Sequence, residues 1–192
     1  MASIINASTS GVGGVITTAD NSGDLNIQSG GSTKIAVTSA GVAVTGLSKG
    51  SLPTGSVLQV VSANYSTSVS TTSTSFVTAG LSASITPTSA TSKIMIIVNI
   101  GLYNNGTSGN SMGATVFRGT VAGTNLGEAT WGFGLVGSAI TGTLGSITYL
   151  DSPATTSATS YTVGIRTQNA ANLVYAQYQN TSSNITLMEI AA

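Results

Sequence analysis

From Val77 to Ile85 every second residue is apolar (Val77, Ala79, Leu81, Ala83, Ile85), and every residue between them is Thr, Gly or Ser. Alternation with a period of two puts successive side chains on opposite faces of an extended chain, so the segment fits a half-covered strand of an antiparallel sheet. The same signal returns along the chain at roughly ten- to fifteen-residue intervals. The expected strands are Val57–Ala63, Phe76–Ile85, Lys93–Tyr103, Met112–Arg118, Leu144–Leu150, Ser160–Thr167, Leu173–Gln179 and Asn184–Ile190. Helix is disfavoured, because 59 of the 192 residues are Ser or Thr and 24 are Gly, types that weaken a helix interior.

In Lys93–Tyr103, Ile94, Ile96, Val98, Ile100 and Leu102 share one face, while Met95 and Ile97 make the other face apolar too. A strand apolar on both sides needs two layers of cover. One is the opposing sheet of a sandwich, and a neighbouring subunit is a candidate for the other. The last strand repeats the theme, with Ile185 and Leu187 on one side and Met188 and Ile190 on the other. The fold expected over residues 51–192 is an antiparallel jelly-roll β-sandwich.

Residues 1–20 read as an extended arm whose apolar residues are Ile4, Ile5, Val12, Val15 and Ile16. Three short alternating runs follow in residues 21–50: Asp24–Gln28, Thr33–Val37 and Gly41–Thr45, separated by turn residues. They predict a small β-meander with an apolar stripe of Leu25, Ile27, Ile35, Val37, Val42 and Val44. A unit this short is marginal alone in water, so it is expected to stack on copies of itself. Ser48–Gly55, with Gly and Pro close together, marks the boundary.

The chain carries five Lys or Arg and five Asp or Glu, no His and no Cys. That removes the commonest general base, the thiol nucleophile, disulfides and the usual zinc and haem ligands. A net charge of zero offers no basic patch for phosphates, so no nucleic-acid partner is expected. The apolar run that starts at Ile94 is interrupted by Asn99 and Gly101, too early to span a bilayer, and no basic, apolar leader opens the sequence. The expectation is a soluble protein made in the cytoplasm, without membrane insertion.

Gly132-Phe-Gly-Leu-Val-Gly137 matches a dinucleotide fingerprint in letters, but the Gly and β-branched residues after it do not begin a helix, and no cofactor is expected. Asp20-Asn-Ser-Gly-Asp24 groups oxygen ligands in one turn yet lacks the remaining ligands of a calcium loop, so no metal is expected. Glu128, Asp151 and Glu189 are isolated carboxylates, and no spacing recommends the pair that glycoside hydrolysis needs. Asp151-Ser-Pro153 reads as a turn at a strand end. No catalytic residue is expected.

Trp131 and Phe133, in a Gly-rich segment between strands, are candidate sugar-stacking aromatics. The alternative is that Trp131 covers the core or packs between subunits. The polar loop Asn104–Asn110 adds Asn104, Asn105 and Asn110 as candidate glycan contacts. Arg118 and Arg166, both in expected strands, are assigned to ion pairs with Glu128 or Glu189.

Several strings carry a family resemblance. They are Leu52–Val61, Ser75–Ser89, Ser92–Val98, Phe117–Gly119, Tyr149–Ser157 and the ending Ser183–Ala191, preceded by Gly23–Thr45. Together they resemble the C-terminal head and preceding shaft of tailed-bacteriophage fibre proteins, as found in phages of aquatic bacteria. The resemblance implies a trimeric jelly-roll head, similar to complement and tumour-necrosis-factor heads, on a short intertwined shaft. It also implies a virion-surface location, attachment to other virion proteins through the N-terminal arm and contact with a bacterial surface glycan. The shaft is far shorter than in long fibres, so a capsid decoration or cement protein is the alternative, with a polysaccharide depolymerase as a third reading.

Overall fold

The computed structural model describes residues 25–29, 31–45, 52–106, 110–137 and 141–192. Ile4, Ile5, Val12, Val15, Ile16 and the Asp20–Asp24 turn lie outside them. The chain divides into two compact units, Met1–Ser48 and Lys49–Ala192.

In the first unit, β1 (Leu25–Ser29), β2 (Ser32–Thr38) and β3 (Gly41–Val44) form an antiparallel sheet in that order. Ser29 faces Ser32 across a two-residue loop, a geometry that needs positive φ, and Gly31 supplies it at +74°. The register sets Leu25 beside Val37 and Val37 beside Val42, then Ile27 beside Ile35 and Ile35 beside Val44. The expected stripe is therefore two rows on one face of the sheet.

The second unit is a two-sheet sandwich. One sheet runs β4 (Val57–Tyr65), β14 (Ser183–Ile190), β7 (Lys93–Asn104) and β11 (Thr141–Asp151). Short β5 (Val69–Thr71) and β13 (Val174–Ala176) pair with each other, and β13 also pairs with the end of β7. The second sheet runs β6 (Val77–Ile85), β12 (Thr159–Thr167) and β8 (Met112–Arg118), with β9 (Thr124–Asn125) and β10 (Gly134–Val136) both on the free side of β8. Pairing runs from outside inward along the chain: β4 with β14, β6 with β12, β7 with β11, β8 with β10. That nesting is a long hairpin rolled into two sheets, the jelly-roll winding.

Alternation decides what enters the core. Ala79, Leu81, Ala83 and Ile85 of β6 and Ile94, Ile96, Val98, Ile100 and Leu102 of β7 are buried, together with Val116, Val163, Ile165, Ile185 and Leu187. Met95 and Ile97, on the opposite face of β7, are only half-buried.

The expected strand Leu173–Gln179 is shorter than its sequence predicts. It stops at Ala176, because Gln177 and Gln179 take left-handed φ of 53° and 54° in a 3-10 turn over Tyr178–Asn180. The turn carries the Gln177 side chain into the core, where it is fully buried, and the Gln177 backbone N–H donates to Gly101 O at 2.8 Å. The two- and three-residue strands β5, β9 and β10 are too short to show a period, and none was expected.

Candidate interaction surfaces

The outward faces of the two sheets differ in chemistry. On the β6–β12 sheet, Ser84 faces Ser160 and Ser82 faces Thr162, rows of hydroxyls suited to water. On the larger sheet, Leu150, Met95, Met188 and Val60 lie side by side across four strands. Leu150 and Val60 are exposed. A polar row of Ser146, Asn99, Asn184 and Asn64 crosses the same face, with Asn99 Nδ2 donating to Asn184 Oδ1 at 3.2 Å. Leu144 then stands exposed near Tyr103 and Tyr178, which stack at 4.0 Å between ring centroids, and Tyr175 packs on both tyrosines. In the meander, Leu25, Ile27, Val37, Val42 and Val44 are 38–66% exposed.

Charge is used sparingly, and among the described residues Asp151 and Glu189 are the buried charges. Arg118 Nε and Nη2 grip the Asp151 carboxylate at 2.8 and 2.5 Å, and the Tyr161 hydroxyl donates to Asp151 Oδ2 at 2.7 Å. The hydrogen bond to Asp151 raises the Arg118 pKa against an opposing effect of burial. Burial, with the bond to Asp151, pushes the Tyr161 phenol far up. Glu189 is fully buried at the inward end of β14. Burial alone would raise its pKa, but donors from Thr88 and Gln59, each at 2.6 Å, prevail and bring it to about 2. Glu128 accepts the backbone N–H groups of Thr130 (2.8 Å) and Trp131 (2.7 Å), which lower its pKa. The expected pairing of Arg118 or Arg166 with Glu128 or Glu189 is thus corrected. Asp151 takes Arg118, and neutral donors satisfy both glutamates.

Arg166 lies on the outer face of β12. Its Nη1 donates to Thr130 O at 2.8 Å and its Nε to Thr167 O at 3.4 Å. The guanidinium sits 5.1 Å from the Trp131 ring centroid and 5.8 Å from that of Phe76, and Phe76 meets Phe117 edge-on at 5.8 Å. Phe117 is the outward residue of β8 beneath this group, and it can lie on the sheet because β12 has Gly164 there. A Cβ on Gly164 would come within 2.8 Å of the Phe117 ring. Gly113 likewise admits the carbonyl of Trp131, which a Cβ would meet at 3.0 Å. Phe76, Phe117 and Arg166 line an open groove of about 390 Å³ together with Thr74, Ser75 and Asn125.

The candidate glycan contacts do not gather into one site. Trp131 is half-buried beside Arg166, whereas Phe133 turns the other way and packs edge-on against Tyr149 at 5.5 Å. Asn104 and Asn110 are 0% and 2% exposed and clasp each other: Asn110 Nδ2 donates to Asn104 Oδ1 at 2.8 Å, and Asn104 Nδ2 to Asn110 O at 3.1 Å. Their amides close the loop rather than face a ligand, correcting the expectation that they lie at its surface. Asn105 is exposed. The Phe76, Phe117 and Arg166 grouping was missed, although glycines within β8 and β12 are the sequence sign of a close approach onto a sheet. Among the described residues no group of three or more His, Cys, Asp or Glu could hold a metal ion, and no helix is long and apolar enough to cross a membrane.

No protein-family model and no curated protein matches the chain. Among solved structures it is similar to a chain of infectious bursal disease virus, Gx strain, at 18% identity and a TM-score of 0.37, over 72% of this chain and 30% of that one. A VP2 subviral particle of the same virus aligns at 15% identity and a TM-score of 0.37, over 70% of this chain and 37% of that one. T=1 particles derived from the virus align at 14% and 0.39, over 70% and 36%. The chain spans about a third of the length of those chains, and likeness at this level carries no argument about what it does.

Proposed function

We propose that this is a non-enzymatic virion structural protein. It is a short homotrimeric phage fibre that docks on other virion proteins through its N-terminal arm and presents the jelly-roll head to a bacterial surface glycan. The observation that carries the reading is that two separate sheets each turn a row of apolar side chains outward. One is the meander face of Leu25, Ile27, Val37, Val42 and Val44, and the other is the Leu150, Met95, Met188 and Val60 row of the head. Contiguous apolar patches of this kind mark contact surfaces, and identical copies offer a self-complementary partner for each. The hydroxyl-lined β6–β12 face is suited to remain in water. Three copies of a head would let weak sugar contacts act together. The sequence resemblance to phage fibres agrees with this arrangement.

The test is to purify virions, detect the chain by mass spectrometry, locate it by labelled-antibody electron microscopy, and ask whether purified protein blocks adsorption to host cells. Presence on projecting fibres and blocked adsorption are expected. Absence from purified particles, or particles weakened by loss of the protein while adsorption is unchanged, overturns the attachment reading.

A further inference from the structure

We propose that the Phe76, Phe117 and Arg166 groove on the outer face of the β6–β12–β8 sheet is a binding subsite for a sugar ring that carries a carboxylate. The inference takes its biological purpose from the attachment reading, but its chemistry stands on the groove alone.

The groove has the two components that such a ring requires. Phe76, held edge-on by the buried Phe117 beneath it, offers apolar surface to the C–H face of a pyranose. Arg166 offers a planar fork of donors, and such a fork matches a carboxylate in bidentate geometry. Among the described residues the only ion pair is Arg118 with Asp151, so Arg166 has no carboxylate within ion-pairing distance. Its bonds run to the Thr130 and Thr167 carbonyls through Nη1 and Nε, and its remaining N–H groups are available.

The group is also held in place before any ligand arrives. Trp131 and Phe76 flank the guanidinium, and Glu128 fixes the turn beneath it by accepting the Thr130 and Trp131 N–H groups. A fixed Arg loses less side-chain freedom on binding than a mobile one. Gly164 and Gly113 permit the close approach of Phe117 and of the Trp131 carbonyl, so the platform depends on specific small residues in two strands. Thr74 and Ser75 also line the groove and add polar groups to it. The Glu128 charge offsets that of Arg166 at longer range. Recognition therefore depends on direct contact rather than on steering, and only a modest salt dependence is expected.

The test uses the full chain, whose single tryptophan, Trp131, stacks beside Arg166 and reports on the groove. Tri-galacturonate is expected to change its fluorescence saturably, while neutral galactotriose and a glycerol-phosphate polymer do not. Arg166→Gln and Arg166→Lys are each expected to weaken tri-galacturonate binding about tenfold or more, the second because it keeps the charge and loses the fork. Phe76→Ala should weaken it as well. Lys93→Gln, on β7 of the other sheet, should leave binding unchanged. Equal response to the neutral trisaccharide, preference for glycerol phosphate, or unchanged affinity in melting-matched Arg166 variants overturns the proposal.

Adsorption competition separates this proposal from the attachment reading. If wild-type protein blocks adsorption but tri-galacturonate binding does not depend on Arg166, attachment stands and the groove falls. If tri-galacturonate binding depends on Arg166 but no adsorption is blocked, the groove stands and attachment falls.

Discussion

The Tyr161 hydroxyl, in the core of the β6–β12–β8 sheet, donates at 2.7 Å to Asp151, the last residue of a strand in the opposite sheet. Arg118 of β8 closes on the same carboxylate, so three polar groups tie the two layers together at one end of the sandwich. Removing Asp151 leaves the buried Tyr161 hydroxyl unpartnered, while Arg118, 31% exposed, can turn to water. Asp151→Ala is therefore expected to destabilise the protein by about 1–3 kcal/mol and Tyr161→Phe by about 1–2 kcal/mol. Urea unfolding of the single and double variants checks this, and strictly additive losses would show that the three groups do not act as one unit.

Gly80 sits at a bulge in β6, where the pairing with β12 slips between Thr162 and Gly164. Its φ is +79°, and a Cβ there would run into the Tyr65 ring. Gly80→Ala meets both the left-handed strain, about 1–2 kcal/mol, and displacement of that ring. A clear fall in melting temperature is expected, and Tyr65→Ala in the Gly80→Ala background should recover the steric part but not the backbone part. No change in the melt of Gly80→Ala would show that the bulge relaxes freely.

These two sites show where the sequence was informative. The burial of Ala79 through Ile85 and of Ile94 through Leu102 could be read from parity alone, because side-chain direction in a strand is a local property. Which strand pairs with which is not local, so the nesting of β4 with β14 had no signature in either segment. Asp151 does end its strand, as Asp151-Ser-Pro153 suggested, but its partnership with Arg118, 33 positions away, had no local signal. Asn104 is a different failure. It continues the inward parity of Ile94, Ile96, Val98, Ile100 and Leu102, and that signal was outweighed by the polar residues around it. The groove beside Arg166 was marked only by Gly113 and Gly164, which look ordinary in a chain with 24 glycines.

Glu189 governs the acid limit of stability. Its pKa is about 2 in the folded chain against an ordinary 4.5, because the donors from Thr88 and Gln59 outweigh burial. A depressed folded pKa contributes stability that is complete above about pH 4.5 and lost as pH falls towards about 2. Tyr161 has the opposite sign. Its pKa is raised above 10.0, so stability declines as pH rises past that value. With no His in the chain, denaturant stability is expected to be nearly flat from about pH 5 to 9 and to fall on either side. Glu189→Gln should flatten the acid limb and lower stability at neutral pH by about 1–3 kcal/mol. A steep slope between about pH 6 and 8 would contradict this account.

The two outward apolar faces make separable contributions to assembly. Light scattering on the full 18.9 kDa chain is expected to give the mass of a trimer rather than of a monomer. Val42 and Val44 lie in adjacent rows of the meander face, so Val42→Asp with Val44→Asp puts two carboxylates against neighbouring apolar strands. Val60→Asp with Leu150→Asp does the same on the head. Desolvating an unpaired carboxylate costs several kcal/mol, so each double variant should shift assembly to higher protein concentration, and the two combined should leave monomers. Circular dichroism should stay β-rich in the head variant, because Val60 and Leu150 point away from the sandwich core. A wild-type chain that remains monomeric at all concentrations would remove the argument from both faces at once. Assembly lost only with the meander substitutions would place the self-contact on the shaft and leave the head row for another partner.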